Sequence, residues 1–433
     1  MGYSWGDGVF LVYDDDSMIP ALAPFRVRSF RFQWPADLCT AWALEMETLV
    51  LGWYVLVETE SVLLLTLFGS LQFIGTLVSP MLGVLGDRLG IRNVLAAMRA
   101  SYALFSGIIL TLALTGSIDA YSVLIVAALC GLIRPTDVGM RGALVSATVP
   151  PQHLVAAMGV SRTTMDSARV GGALAGAGFM AMFGMGPVYM LITLIHVAGV
   201  VLTMKVEGGG RDDGPQPAGV VRPARVSPWR DLWEGLAYVW NTPRMLAAMC
   251  LASLVNLTAF PFSNGLAPYI ARDVFEVDQT GLGWLVASFA IGALVGSVLM
   301  SIFGPRVRPA RMMLGGALAW YAALVGFAAT PSFPVAITML VLAGVAQSLS
   351  MLSVMILLLR TCEPRFRGRI MGVRMLAIYT LPIGLMLAGA IIPVIGYPWT
   401  ATVLLLIGVG CTFWIGWAWR RELLPLDAIG NTR

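Results

Sequence analysis

Ionisable side chains are scarce in this chain and unevenly placed, and no other feature restricts its fold so strongly. Of 433 residues, 12% are charged and 58% hydrophobic, against roughly 25% charged in a soluble domain. Too few charges exist to clothe a water-facing surface, so most of the chain is solvated by lipid. Twelve apolar runs can be counted between the charges: 34–57, 62–85, 93–115, 120–143, 157–182, 187–206, 245–268, 281–303, 312–330, 333–359, 371–395 and 398–419. Each is long enough to cross a bilayer as a helix, which takes ~20 residues. The expected fold is therefore an all-α membrane protein of twelve transmembrane helices, called spans 1 to 12 below.

A polar stretch from Glu207 to Arg244 separates six runs from six. The resulting plan is a tail (1–33), a six-helix bundle (34–206), a linker (207–244), a second bundle (245–419) and a tail (420–433). The linker opens with the flexible segment EGGGRDDGPQPAG. It closes with SPWRDLWEGLAYVWNTP, where Trp229, Trp233, Leu236, Val239 and Trp240 recur at helical spacing opposite Arg230, Asp231 and Glu234. That pattern predicts an amphipathic helix on the membrane surface. The first residues show no basic-then-apolar leader, and Met18 is an alternative start that would make residues 1–17 dispensable.

Several function classes drop out. Lys205 is the only lysine and precedes Val206, so no Gly-Lys-Ser/Thr phosphate loop exists, and an ATP-driven motor is excluded unless a partner supplies it. The five cysteines form no CxxC pair, and His153 and His196 are isolated; no metal site or disulfide framework is expected. There is neither a nucleophile–base motif nor a soluble domain, so an enzyme is not expected, and nucleic acid is not an expected partner.

Basic residues sort by side. Arg26, Arg28 and Arg31, Arg88 and Arg92, Arg141, the linker set, Arg306, Arg308 and Arg311, Arg365, Arg367 and Arg369, and Arg420 and Arg421 all fall at one end of the twelve spans. The opposite loops hold Arg272 alone among basic residues. By the positive-inside rule both termini and the linker are cytoplasmic. The halves also repeat: Thr148–Val160 aligns with Thr361–Val373, and Leu174–Ala177 with Leu387–Ala390, both at an offset of 213. Two parallel repeats are a transporter trait.

The loop after span 2 reads Gly83-Val-Leu-Gly-Asp87-Arg88-Leu-Gly90-Ile-Arg92. This resembles the signature loop between helices 2 and 3 of the major facilitator superfamily, departing at Gly86 and Ile91. The linker and the run TCEPRFRGRIMG resemble the bacterial efflux branch that includes the enterobactin exporter. The resemblance implies a secondary transporter of the bacterial inner membrane, monomeric, with a small-molecule substrate, lipid neighbours, no cofactor and a proton gradient as energy source. It further implies that Gly83, Asp87, Arg88, Gly90 and Arg92 form a cytoplasmic latch, joined by Asp137 and Arg141 of span 4. Span 5 carries Gly171, Gly172, Gly176 and Gly178, similar to the glycine-rich motif of family antiporters, with Gly172 where proline is usual. Such small residues equally serve close helix packing.

Charges inside the membrane are functional candidates by default, and they fall on spans 1, 3, 4 and 5. Asp37 lies roughly 5 Å from the cytoplasmic end of span 1, and Glu45 and Glu47 roughly 17–20 Å in, at 1.5 Å per residue. Residues two apart point to opposite sides of a helix, so only one glutamate can face a central cavity. Either could bind a proton or a cationic substrate, or form a fixed ion pair with an arginine of a neighbouring span. Arg134, Asp137 and Arg141 on span 4, and Arg162, Asp166 and Arg169 on span 5, each line one helix face. With Arg99 they suggest an interhelical ion-pair network; Arg134 or Arg169 would alternatively suit an anionic ligand. Gln72, Asn256, Asn264 and Gln347 are candidate cavity residues, and His196, on a peripheral span by the resemblance, is read as structural.

Overall fold

In a computed structural model, residues 20–76, 89–207, 228–304, 307–363 and 366–423 are described. Among them there is no strand; the chain is helical from Pro20 onward, with a helix at each of the twelve apolar runs. Among the described residues, nine helices are long and apolar enough to cross a membrane by themselves. The other three are span 2, described as Val62–Leu71 and a following turn, and spans 1 and 5, whose glutamates, arginines and glycines dilute the apolar sequence.

Several helix limits differ from the apolar runs. Span 1 is Arg28–Thr59 and span 5 is Pro151–Phe183, because a helix continues beyond the lipid through arginines and polar residues that the hydropathy pattern omits. Proline at the first helical position starts span 5, span 7 (Pro243–Thr258) and span 9 (Pro309–Ala329), where its missing N–H costs nothing. Asp119 and Asp278 cap spans 4 (Ala120–Thr148) and 8 (Gln279–Phe303) by accepting backbone N–H bonds. Span 7 goes on through two π-helical turns, Pro261–Gly265 and Ile270–Val274, since Pro261 and Pro268 each remove a helix donor.

Paired glycines decide how the helices touch. A Cβ on Gly131 of span 4 would lie 2.1 Å from the Leu71 carbonyl of span 2, and one on Gly75 would lie 2.2 Å from the Leu132 carbonyl. The second half repeats the device: Gly344 of span 10 (Phe333–Thr361) meets the Phe289 carbonyl of span 8 at 2.2 Å, and Gly292 meets Val341 at 2.1 Å. Gly344 stands 213 residues after Gly131, the offset of the sequence repeat. Gly131→Val is expected to push spans 2 and 4 apart and destabilise the protein by about 1–3 kcal/mol, read as a lowered melting temperature; an unchanged one would deny the backbone contact.

The two halves meet chiefly through spans 5 and 8 and through spans 2 and 11 (Arg367–Ile378 and Thr380–Ile395). These contacts gather at the end that carries the loop between spans 1 and 2. There Arg272 pairs with Glu60 at 3.6 Å and donates to the Leu56 carbonyl, Gly52 abuts Pro268, and Gly283 sits against Ala177. Toward the end that carries the termini, Arg367–Ile378 packs instead on the linker helix and span 7. Among the described residues the contacts between the halves thus gather at one end, and the space toward the other end, between spans 1, 4, 5 and 11, is the candidate cleft.

The linker helix, Pro228–Trp240, departs from the simple amphipathic expectation. Leu232, Leu236 and Val239 pack into the core of the second half, while Trp233 and Trp240 point outward, about 70% exposed. Glu234 pairs with Arg369 of span 11 at 3.1 Å, and Tyr238 stacks on Phe366. The apolar residues cover more than half the helix circumference, so they serve two surfaces, one protein and one facing away from it.

Candidate functional site

Among the described residues, the intramembrane charges of the first half fall into four clusters. The first lies in the wall of the cleft. Trp42, Glu45 and Thr48 form the partly exposed stripe of span 1, at helical spacing. Arg134 Nη2 lies 3.3 Å from Glu45 Oε1, and its Nη1 donates to Gln72 Oε1 at 2.6 Å and to Thr48 Oγ1 at 3.2 Å. The side chains of Arg134 and Glu45 are 27% and 23% exposed. The glycine contact just described brings Gln72 beside Arg134. Pro135, next in sequence, leaves the Gly131 carbonyl without its helix donor. On the other flank a Cβ on Gly172 would fall 2.9 Å from Glu45 Cβ. Gly172, Gly171 and Gly176 all face span 1, against Glu45, Trp42 and Met46, whereas Gly178 has open space around it.

The second cluster is buried. Arg99 of span 3 (Ile91–Leu114) is fully enclosed. It bonds to Asp37 of span 1 and to Thr203 of span 6 (Met185–Met204), with Asp137 Oδ1 4.0 Å from its Nε. Arg141 pairs with Asp137 one turn away and reaches the Asp37 carbonyl at 3.4 Å. Two arginines and two aspartates cancel in charge and tie four helices together. This network holds Asp37, Asp137 and Arg141 but not Arg134, which the stripe pattern had grouped with them.

The third is an exposed ladder on span 5. Arg162 pairs with Asp166 at 3.1 Å, the arginine 66% and the aspartate 9% exposed. Arg169, two turns on and exposed, has no charged partner among the described residues. Arg374 of span 11 lies within reach of the Arg162 charge across the cleft, with its Nη1 3.5 Å from Met355 Sδ. The sequence reading missed Arg374; an arginine at the fourth position of the apolar run 371–395 was the available signal.

The fourth places Glu47 against His196, Oε2 to Nε2 at 3.8 Å, inside the bundle and away from the cleft. Of the latch residues, Gly83, Asp87 and Arg88 lie outside the described residues. Gly90 caps span 3 at φ 85°, a left-handed value that favours glycine, and Arg92 donates to the Val206 carbonyl at 3.2 Å. Asn256 is buried and bonds its own helix, and Asn264 is exposed. Among the described residues no cluster of His, Cys, Asp and Glu has metal-holding geometry.

The family model described as Major Facilitator Superfamily matches residues 8–264 and again 249–430, one match to each half. The chain belongs to that superfamily. It is a membrane-embedded, multi-pass transporter of the major facilitator fold, not an enzyme. A curated relative, the multidrug efflux pump Tap of Mycolicibacterium fortuitum, is 27% identical over 385 residues, covering 83% of this chain and 89% of that one. Among solved structures, a peptide transporter POT in complex with sulfate superposes with a TM-score of 0.71 at 11% identity, over 93% and 95% of the two chains. The nucleoside transporter NupG gives 0.68 at 14%, over 91% and 99%. The human organic anion transporter MFSD10 gives 0.63 at 14%, over 90% and 99%. At such identities these likenesses speak for the fold alone.

Proposed function

We propose that this major facilitator transporter is a proton-coupled exporter of small or amphipathic molecules, in which Glu45 carries the exchanging proton and Arg134 is its partner. The observation that carries this reading is the contrast between clusters. The Glu45–Arg134 pair is the one intramembrane pair of span 1 that lines the cleft and stays partly exposed, whereas Asp37 and Glu47 are buried. A carboxylate that trades protons with water must reach water, and an arginine beside it offers an alternative partner to the proton. Proton and substrate can then compete for one site while two halves rock around it. The efflux relative supports export. The arginine asymmetry supports cytoplasmic termini in an inner membrane, so the cleft opens to the cytoplasm and the Glu60–Arg272 contact closes the periplasmic side.

A second reading has its own observation. Arg162, Arg169 and Arg374 border the cleft, and Asp166 alone opposes them among the described residues. That excess suits an organic anion, taken up or expelled by the same fold. Dye accumulation in a host stripped of its own pumps separates the readings. With export of cationic or neutral compounds, cells making the protein hold several-fold less ethidium than cells making Glu45→Gln, and a protonophore erases the difference. Equal ethidium but altered carboxyfluorescein would favour the anion reading, and no change with either dye would reject both.

A further inference from the structure

Behind the cleft wall, the first half encloses a set of buried polar atoms with few partners. Glu47 Oε1, both ring nitrogens of His196 and the Tyr102 hydroxyl make no hydrogen bond, and the Tyr189 hydroxyl turns to the Glu47 carboxylate. They converge from three helices: Glu47 from span 1, Tyr102 from span 3, Tyr189 and His196 from span 6. His196 and Tyr102 are fully enclosed, with ring centroids 5.7 Å apart. Tyr189 is equally enclosed and lies beside Glu47. Span 4 contributes Cys130, which faces Glu47, and the charges of Arg134, Asp137 and Arg141 stand beyond it. Around these groups the wall is apolar, formed by Met46, Val50, Val123, Ala127, Val188 and Ile192.

We propose that Glu47 and His196 hold a single proton between them in a site sealed from the cleft, leaving proton exchange with water to Glu45. Both partners need that one proton. Without it a buried carboxylate would have the Tyr189 hydroxyl as its near polar partner and no cation in contact, and with a second one a buried imidazolium would have no carboxylate to meet it, each a costly buried charge. With one proton the pair is neutral whichever atom carries it, and the 3.8 Å gap closes to a hydrogen bond by a small side-chain turn. The pair then keeps its neutral charge while Glu45, on the opposite side of the same helix, exchanges its proton with water. Only the last clause rests on the transport reading above; the dyad itself is tested without transport.

The chain has two histidines, His153 and His196, which makes ring-nitrogen NMR of histidine-labelled full-length protein in micelles decisive. His153→Gln assigns the signals. The His196 signals should stay fixed from about pH 5.5 to about pH 8.5, a window on both sides of the usual imidazole range. Glu47→Gln keeps the size but removes the shared proton, so it should move the His196 signals; Glu45→Gln should leave them in place. A His196 whose signals move within that window in the wild-type protein would overturn the proposal, and that result needs no folded variant. So would signals indifferent to Glu47→Gln, or moved as far by Glu45→Gln.

Discussion

Replacing Arg99 by methionine is expected to cost about 3–5 kcal/mol of stability, the usual penalty for removing one partner of a buried ion pair. Arg99 is the hub of its cluster: Asp37, Asp137 and Thr203 all turn to it from three other helices. Without it Asp37 keeps, among the described residues, only the more distant charge of Arg141, which Asp137 already pairs. The loss should show as a large fall in melting temperature with little protein recovered by size exclusion. The double change Arg99→Met with Asp37→Leu removes the orphaned charge as well, and it should recover at least half of the loss. Additive costs would mean that the two side chains do not interact, contrary to the contact drawn here.

Arg134→Gln should behave in the opposite way. Its pair with Glu45 is partly open to the cleft, each side chain about a quarter exposed, so water shares in solvating the charge left behind and the cost should be about 1 kcal/mol, well below that of Arg99→Met. The melting temperature should hardly move. Transport, however, should fall by about 10²-fold, the scale of effect that follows when a reacting group is displaced by about 1 Å. Arg134 fixes Glu45, Gln72 and Thr48 at once, and all three are released together. Efflux of the dye that the wild-type protein moves fastest is the assay. Normal efflux with a lowered melting temperature would show that Arg134 belongs with the structural network after all.

How much of this was legible in the sequence follows from the range of each interaction. The twelve runs, the division at Glu207 and the concentration of intramembrane charge in the first half are one-dimensional patterns, and the helices lie on the runs. The geometry of a single helix also required Glu45 and Glu47 to face opposite ways. Which of them meets the cleft was not legible, because it depends on how span 1 is rotated against spans 4 and 6. That rotation is set by contacts such as Gly172 against Glu45 and Gly199 against Thr40. The stripe Arg134–Asp137–Arg141 shares a face only loosely; its ends lie two turns apart, far enough for Arg134 to turn to Glu45 while Arg141 stays in the buried network. Partners such as Arg99 and Asp37, or Arg134 and Gln72, stand about sixty residues apart, and no local spacing rule connects them. His196 was read as bland because its span is peripheral, but a peripheral helix still turns one face inward, and His196 lies on it opposite Glu47.

The central claim is that Glu45, and not Glu47, exchanges the coupling proton. Proteoliposomes holding the purified protein, a pH-sensitive dye inside and the fastest-moving substrate outside, test it directly. Wild-type protein and Glu47→Gln should both show proton flux on addition of substrate, and Glu45→Gln should show none while still binding that substrate. Undiminished substrate-driven proton flux in Glu45→Gln would contradict the account.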